Sequence, residues 1–342
     1  MIASRLKHPF GLVLFGFGVL LLSLVVGLSM GAVPIPFSST IGWMFGWDNG
    51  LTDSQRAILY ELRLPRVLTA IIVGSSLAAA GVGFQGLFRN VLAEPYIIGA
   101  SSGAALGVAV VIVLNINAIF MGVSTPALAA LLGSVSVVSL VFLVGAAGRG
   151  SSQLSLLLSG VAISSLANAA VSLLLFLNNQ KAMVIMSWLM GSISSATWSS
   201  TAISSVIGGL GVAIIWFRSR ALDAYLLGDT ASTSLGLDLV RFRMWMIIGG
   251  SLATAAAVSS AGVVGFVGLV APQIARMLVG AKHSYLIPMS VCCGGIVMLL
   301  ADVLARSLHE SLELPVGVLT ALLGGPFFFV LLMTRNGSRA LS

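Results

Sequence analysis

The chain has 342 residues, of which 58% are hydrophobic and only 8% are charged. Soluble domains carry roughly 25% charged residues, and the mean hydropathy here is +1.09. These values exclude a water-soluble enzyme, a soluble nucleic-acid-binding protein and a disordered chain. They predict an integral membrane protein.

Apolar runs along the chain predict an all-α fold with ten transmembrane helices. Each run is about 17–25 residues long, which suits a helix crossing the hydrocarbon core, whereas barrel strands alternate apolar and polar residues. The predicted spans cover 10–33, 65–88, 96–114, 124–147, 154–178, 201–217, 243–260, 264–280, 286–305 and 314–334. The eighth is the weakest, because it is short and contains Pro272. A Ser/Thr/Trp-rich stretch over 188–201 is expected to hold a short re-entrant or interfacial helix.

The basic residues predict that both termini are cytoplasmic, because inward-facing loops are enriched in Lys and Arg. In that arrangement twelve of the 17 basic residues face inward. The formal charge is then +8 inside and −1 outside, which accounts for the total of +7. The basic residues on the outer side are Arg56, Arg63, Arg66, Lys181 and Arg306. Membrane topology therefore explains the basic balance without nucleic acid.

Glycine patterns within the spans indicate close helix packing. Residues 81–86 fit G-x-G-x-x-G, but a dinucleotide site needs a preceding strand, and this motif lies in an apolar helical run. Gly99, Gly103 and Gly107 place a stripe of small residues on the third span, which lets helices approach closely in lipid. The similarity of 82–87 to 264–269 is compatible with an inverted five-helix pseudo-repeat, or with chance in a chain rich in Gly, Val and Leu.

Motifs for catalysis and metal binding are incomplete in this sequence. No G-x-x-x-x-G-K-[ST] phosphate loop occurs, so the chain alone is not expected to hydrolyse ATP. The zinc-like motif that starts at His309 lacks its second histidine. The adjacent Cys292 and Cys293 lie in an apolar run and are predicted to be packing groups. No catalytic residue, metal site or cofactor is therefore assigned to the chain.

The longest predicted cytoplasmic segment, residues 218–243, contains two short helical patterns. Residues 221–229 have the pattern of an amphipathic helix, and 229–232 begin a second helix that ends near Gly236. Apolar residues on such a loop favour a docking surface for another protein. A helix lying on the membrane surface is the alternative.

Arg63 and Arg66 stand on the predicted outer side, against the general trend of the basic residues. Arginine binds carboxylates in a bidentate manner, so these residues suit an acidic partner surface. Anchoring to lipid phosphates or pairing with Glu61 is equally compatible with the sequence. Arg306 occupies a similar position at the outer end of the ninth span.

A set of ordered motifs extends along nearly the whole chain: 63–66 (RLPR), Gly81 and Gln85, 90–95 (NVLAEP), 99–104 (GASSGA), 188–192 (WLMGS), 265–272 (GFVGLVAP) with Arg276, 301–306 (ADVLAR), 313–321 (ELPVGVLTA) and 325–328 (GPFF). Together they resemble the FecCD-type permease subunits of ABC importers for iron–siderophores, haem and cobalamin. Two positions depart from the family pattern: Val91 replaces the usual Pro, and Gln273 replaces the usual His.

The resemblance implies a single permease domain over 1–342, of the type II ABC importer class, in a bacterial inner membrane. Its expected partners are a second permease copy or paralogue, two ATP-binding subunits that bind ATP and Mg, an external substrate-binding protein and membrane lipid. The expected function is import of a metal chelate, with iron–siderophore favoured as the family's commonest cargo. Haem or cobalamin import is the alternative, and an ion-coupled secondary transporter is a further one.

The resemblance also implies roles for particular residues. Arg63, Arg66 and Arg306 would bind the external protein. The 221–236 loop would couple to the ATPases, through Leu226, Gly228, Ala231, Leu235 and Gly236. One inner gate would comprise Asn90 and Leu92, and a second Ser151 and Ser152. Spans five and ten would line the pathway, where the polar residues Ser159, Ser164, Ser165 and Asn168 contact cargo or hydrogen-bond to other helices.

Overall fold

The computed structural model describes residues 9–31, 33, 35–47, 50–120, 122–147, 153–308 and 313–333. This part of the chain is almost entirely helical, and a small antiparallel hairpin pairs Ile119–Phe120 (β1) with Val123–Ser124 (β2). In chain order the helices are α1 (Pro9–Ser29), α2 (Phe37–Phe45), α3 (Asp53–Ala57), α4 (Leu64–Leu87), α5 (Ala100–Val113), α6 (Thr125–Ala147), α7 (Gln153–Leu177), α8 (Asn179–Leu189), α9 (Trp198–Phe217), α10 (Ser219–Tyr225), α11 (Asp229–Ser234), α12 (Leu239–Ala261), α13 (Val267–Val279), α14 (His283–Ser307) and α15 (Val316–Met333).

Seven helical segments in the described residues are long and apolar enough to cross a membrane. One of them is continuous over Asp53–Leu87, because a π-helical segment, Ile58–Arg63, joins α3 to α4. Three shorter apolar helices, α5, α13 and α15, coincide with the predicted spans three, eight and ten. The prediction of an all-helical membrane protein with about ten spans is confirmed.

The short helix expected within 188–201 lies elsewhere. Helix α8 ends at Leu189, at the start of that stretch, and residues 190–197 are not helical. Gly191 adopts a positive φ of 76°, and α9 then starts at Trp198, where the Thr197 side chain accepts a hydrogen bond from the Ser200 amide. A capping residue of this kind satisfies a free helix amide, which is why α9 begins before the apolar run does.

Helices α5 and α13 are half-length and begin deep in the protein. The loop before α5 meets the loop before α13: the Tyr96 hydroxyl donates to the Val264 carbonyl at 2.9 Å, and the Phe266 amide donates to Glu94 Oε1 at 3.1 Å. Half-helices that meet near the midplane are typical of transporters with inverted repeats. Spans three and eight are the ones that a five-span repeat would pair, which supports the repeat as a prediction.

Helix α4 forms the centre of the bundle, because 78% of its apolar 18-residue stretch is buried. A Cβ atom at Gly74 would overlap the carbonyl oxygen of Gly294 on α14, and one at Gly81 would overlap that of Gly268 on α13. Gly103 on α5 makes the same kind of contact with Gly133 on α6. The predicted role of glycine in close helix packing is therefore confirmed at these positions.

The two ends of α4 define two polar faces of the molecule. Its 24 residues span about 36 Å at 1.5 Å per residue. Arg63 and Arg66 lie where α4 begins, and this end is called the arginine face. Arg89 follows the other end of α4 and contacts α10 and α11, and this end is called the α10–α11 face.

Candidate functional site: two polar faces

Arg63 caps the C-terminal end of α1. Its side chain is buried, and it donates to the carbonyl oxygens of Leu28 at 2.7 Å and Ser29 at 3.1 Å, and also to that of Val33. The last carbonyls of a helix have no helical partner, and a cation at this end complements the helix dipole. This contact gives Arg63 a structural reason to stand on the predicted outer side.

Arg306 and Arg66 hold a buried carboxylate between them. Asp302 on α14 is fully buried, and its two oxygens lie 2.9 Å from Arg66 Nε and 3.5 Å from Arg306 Nε. Arg306 also donates to the Gly27 carbonyl at 2.6 Å. Arg66 bridges outward to Glu313, whose carboxylate is half exposed, at 3.0 Å. This network joins α1, α4 and α14 to the segment that precedes α15.

The three predicted docking arginines therefore differ in how they meet the surface. Arg63 and Arg306 are 6% and 9% exposed, and each donates to a backbone carbonyl inside the protein. Arg66, with Glu313 beside it, remains at the edge of the surface. Docking by these residues stays a prediction, and in this conformation Arg63 and Arg306 serve the packing of α1 and α14.

The α10–α11 face carries the predicted coupling loop as two short helices, as expected. Leu222 and Tyr225 on α10 are fully buried against the bundle. Ser232 on α11 donates to the carbonyls of Ala224 at 2.9 Å and Gly228 at 2.6 Å, which fixes α11 to α10. The residues left exposed include the predicted coupling positions Leu226, Ala231, Leu235 and Gly236, while Gly228 is partly buried.

Asp223 attaches α10 to the first residue of α14. Its Oδ1 atom lies 2.6 Å from His283 Nδ1 and accepts the His283 backbone amide at 3.1 Å. The His283 ring is buried. The sequence does not reveal this pair, because the two residues stand 60 positions apart and no motif links them.

The predicted gate residues Asn90 and Leu92 form an exposed turn directly after α4. Asn90 Oδ1 accepts the Leu92 amide at 2.9 Å, and Leu92 is 42% exposed. Gln273, at the position where the family usually has His, donates to the Val91 carbonyl at 3.0 Å and so holds the turn against α13. The second predicted gate, Ser151 and Ser152, lies outside the described residues.

Helix α7 is the most exposed of the long helices, because only 17% of its apolar 18-residue stretch is buried. Ser159 and Ser165 donate to carbonyls of the preceding turn, Ser155 at 2.8 Å and Val161 at 2.9 Å. Each of these hydroxyls thus donates within α7 itself. Asn168 is exposed on the same helix, so the face remains available to a partner or to cargo.

Comparison with known proteins identifies the class. The FecCD transport family matches residues 19–334. The uncharacterized ABC transporter permease YvrB of Bacillus subtilis is 35% identical over 96% of this chain and 95% of its own length. The hemin transport permease HmuU of Yersinia pestis is 35% identical over 94% and 95%. Relatives of 35–39% identity are named for cobalamin, molybdate and iron chelatin import.

A solved structure shows the same fold. It is described as an inward-facing conformation of a transporter assigned to the metal-chelate type of ABC transporters, with a TM-score of 0.82 and 33% identity, and the match covers 94% of this chain and 98% of that one. The fold and these matches define a multi-pass ABC permease of the bacterial inner membrane, a transport subunit as predicted. The chain belongs to the FecCD transport family.

Proposed function

We propose that the chain is the transmembrane subunit of an ATP-driven importer that moves a metal chelate into the cytoplasm, with ATP hydrolysed by separate subunits. The α10–α11 surface carries this proposal. It exposes Leu226, Leu227 and Leu235 by 45%, 66% and 66%, although its other side is packed firmly on the bundle. Exposed apolar residues on an ordered element favour a protein partner, and the ATP-binding subunits are the partners that an ABC permease requires.

The charge distribution supports an orientation with the α10–α11 face in the cytoplasm. Basic residues concentrate there, as the positive-inside rule expects. Those in the described part of the chain are Arg89, Arg218, Arg220, Arg241, Arg243, Arg276 and Lys282. The arginine face would then receive the external binding protein, with Arg66 and Glu313 at its surface, and the exposed face of α7 would meet the second permease copy.

Iron–siderophore is the cargo that we propose. A Helicobacter pylori relative named for iron chelatin transport is 39% identical over 83% of this chain, and the similar solved structure is of metal-chelate type. Haem and cobalamin remain the alternatives, because relatives carry those names. An ion-coupled carrier is less well supported, since Asp302, its candidate intramembrane carboxylate, is paired with Arg66 and Arg306.

Co-purification from the native host tests the recruitment of an ATPase. Leu226→Asp combined with Leu235→Asp should remove the ATP-binding subunit from the purified complex, because two carboxylates would be buried at the contact. Leu114→Asp is the matched control, since Leu114 is 61% exposed but ends α5 at the opposite face. Retention of the ATPase by the double variant would refute the coupling surface.

Uptake measurements test the cargo. Cells that lack the gene and cells that express it are compared for uptake of iron-55 ferrichrome, haem and labelled cobalamin. Gene-dependent uptake of the siderophore supports the proposal. Uptake of haem or cobalamin alone would select the corresponding alternative and contradict an iron–siderophore importer.

A further inference from the structure

A single carboxylate on the α10–α11 face binds two arginines from different elements. Asp229 is the first residue of α11. Its Oδ1 atom lies 2.5 Å from Arg89 Nη2, and its Oδ2 atom lies 2.8 Å from Arg243 Nη2 on α12. The side chains of Arg89 and Arg243 are 30% and 12% exposed. The carboxylate therefore joins α11, α12 and the turn after α4 in one contact.

The fully buried ring of Tyr225 lies beneath the same pair of arginines. The guanidinium carbon of Arg89 lies 4.3 Å from the ring centroid and that of Arg243 lies 5.8 Å from it. Arg89 also donates to the Tyr225 carbonyl at 2.7 Å, and Arg243 Nε donates to the Tyr225 hydroxyl at 3.1 Å. Charge-assisted hydrogen bonds are stronger than neutral ones, and cation–π contacts add further attraction. Arg89 is thus held to α10 and α11 by three contacts.

The conformation of Arg89 determines where the next residues stand. Arg89 has a φ of +48°, a left-handed conformation that non-glycine residues adopt uncommonly. This conformation reverses the chain after α4, so that the Asn90 amide donates to the Gln85 carbonyl at 3.0 Å. Asn90 in turn accepts the Leu92 amide. A displacement of Arg89 therefore carries the exposed turn with it.

We infer that Asp229 is a positioning residue that transmits movement of α11 to the turn of Asn90 and Leu92. The inference rests on the proposed function, in which α10 and α11 contact the ATP-binding subunits. When those subunits close, α11 moves, and the Asp229 carboxylate takes Arg89 and the turn along. Without this carboxylate, the ATPase would bind and turn over while the turn, held only through Tyr225, followed less completely. The switching element is the rigid α10–α11 pair, and the readout is the exposure of Leu92.

The test measures the turn directly and needs no cargo. Leu92→Cys is introduced, the complex is purified with its ATP-binding subunits, and the maleimide labelling rate is compared without nucleotide and with ATP and vanadate. The natural Cys292 and Cys293 are buried, and the chain without Leu92→Cys gives their background. We expect the rate to change by roughly fivefold, at the lower end of coupling effects between sites. Asp229→Asn should clearly reduce this change, because Arg89 keeps only its contacts with Tyr225, and Asp229→Glu should restore part of it.

A matched control separates this role from general stabilisation. Arg241 makes an exposed ion pair with Asp238 on the same face, at 3.2 Å, so Arg241→Gln should leave the nucleotide response intact. An Asp229→Asn complex that binds ATPase and keeps the full change in Leu92→Cys labelling would overturn the inference alone. A chain that recruits no ATPase without any substitution at 229 would overturn the proposed function, and the inference with it.

Discussion

Two carboxylates that share Arg66 offer a direct measurement of what burial contributes at the arginine face. Asp302 is fully buried between Arg66 and Arg306, whereas the Glu313 carboxylate is 49% exposed. Removing one partner of a buried ion pair costs about 3–5 kcal/mol, because the other charge is left without compensation. An exposed pair contributes about 0–1 kcal/mol. Asp302→Asn should therefore destabilise the protein several times more than Glu313→Gln.

The natural cysteines provide the assay. Cys292 and Cys293 are the only cysteines of the chain, both are buried, and both lie on α14 together with Asp302. A fluorogenic thiol reagent therefore reports the thermal unfolding of that helix in detergent. At roughly 2 °C per kcal/mol, Asp302→Asn lowers the apparent Tm by about 6–10 °C and Glu313→Gln by less than about 2 °C. Equal shifts in the two variants would refute the assignment of the stabilisation to the buried pair.

Three further outcomes follow from the packing and the faces. Gly81→Ala should overpack α4 and destabilise the fold by about 1–3 kcal/mol, which should reduce the yield of monodisperse protein in size-exclusion chromatography. Gly209→Ala should leave this yield unchanged, because its added methyl group would lie in open space. Arg63→Met removes three hydrogen bonds to carbonyls and should lower the free energy of unfolding by about 3 kcal/mol or more, and the Tm with it. An unchanged Tm would contradict the capping role. Leu227→Cys should react with an impermeant maleimide only from the cytoplasm, and Ile119→Cys only from outside; labelling of both from one side would contradict the topology.

The sequence predicts the long spans well because membrane thickness sets the length of a crossing helix, whereas the half-length of α5 and α13 is not predicted. It predicts α10 and α11 for a local reason, since the amphipathic pattern over 221–229 lies within the segment itself, although α10 already ends at Tyr225. Helix α8 escapes prediction, because its sequence includes Lys181 and Asn179 and is neither long enough nor apolar enough to resemble a span.

The polar contacts at the two faces could not be predicted from the sequence. Arg63 caps carbonyls 34 and 35 positions earlier, and a backbone carbonyl has no signature in the residue type. Asp229 and Arg89 stand 140 positions apart. Charge counting shows that both residues are unusual in so apolar a chain, but only the packing of α10 against α4 brings them together.

Helix α7 bears on how one permease architecture serves chemically different cargoes. The hydroxyls of Ser159, Ser165 and Ser172 already donate to carbonyls one turn earlier. They are therefore less able to bind a solute that passes along the helix. If α7 lines the pathway, as the family resemblance implies, its serine hydroxyls would bind no particular cargo strongly. Relatives about 35% identical can then be named for hemin, cobalamin or molybdate without rebuilding this surface. The delivery protein would then decide selectivity before the cargo enters the membrane. A different delivery protein would be enough to change which compound is imported.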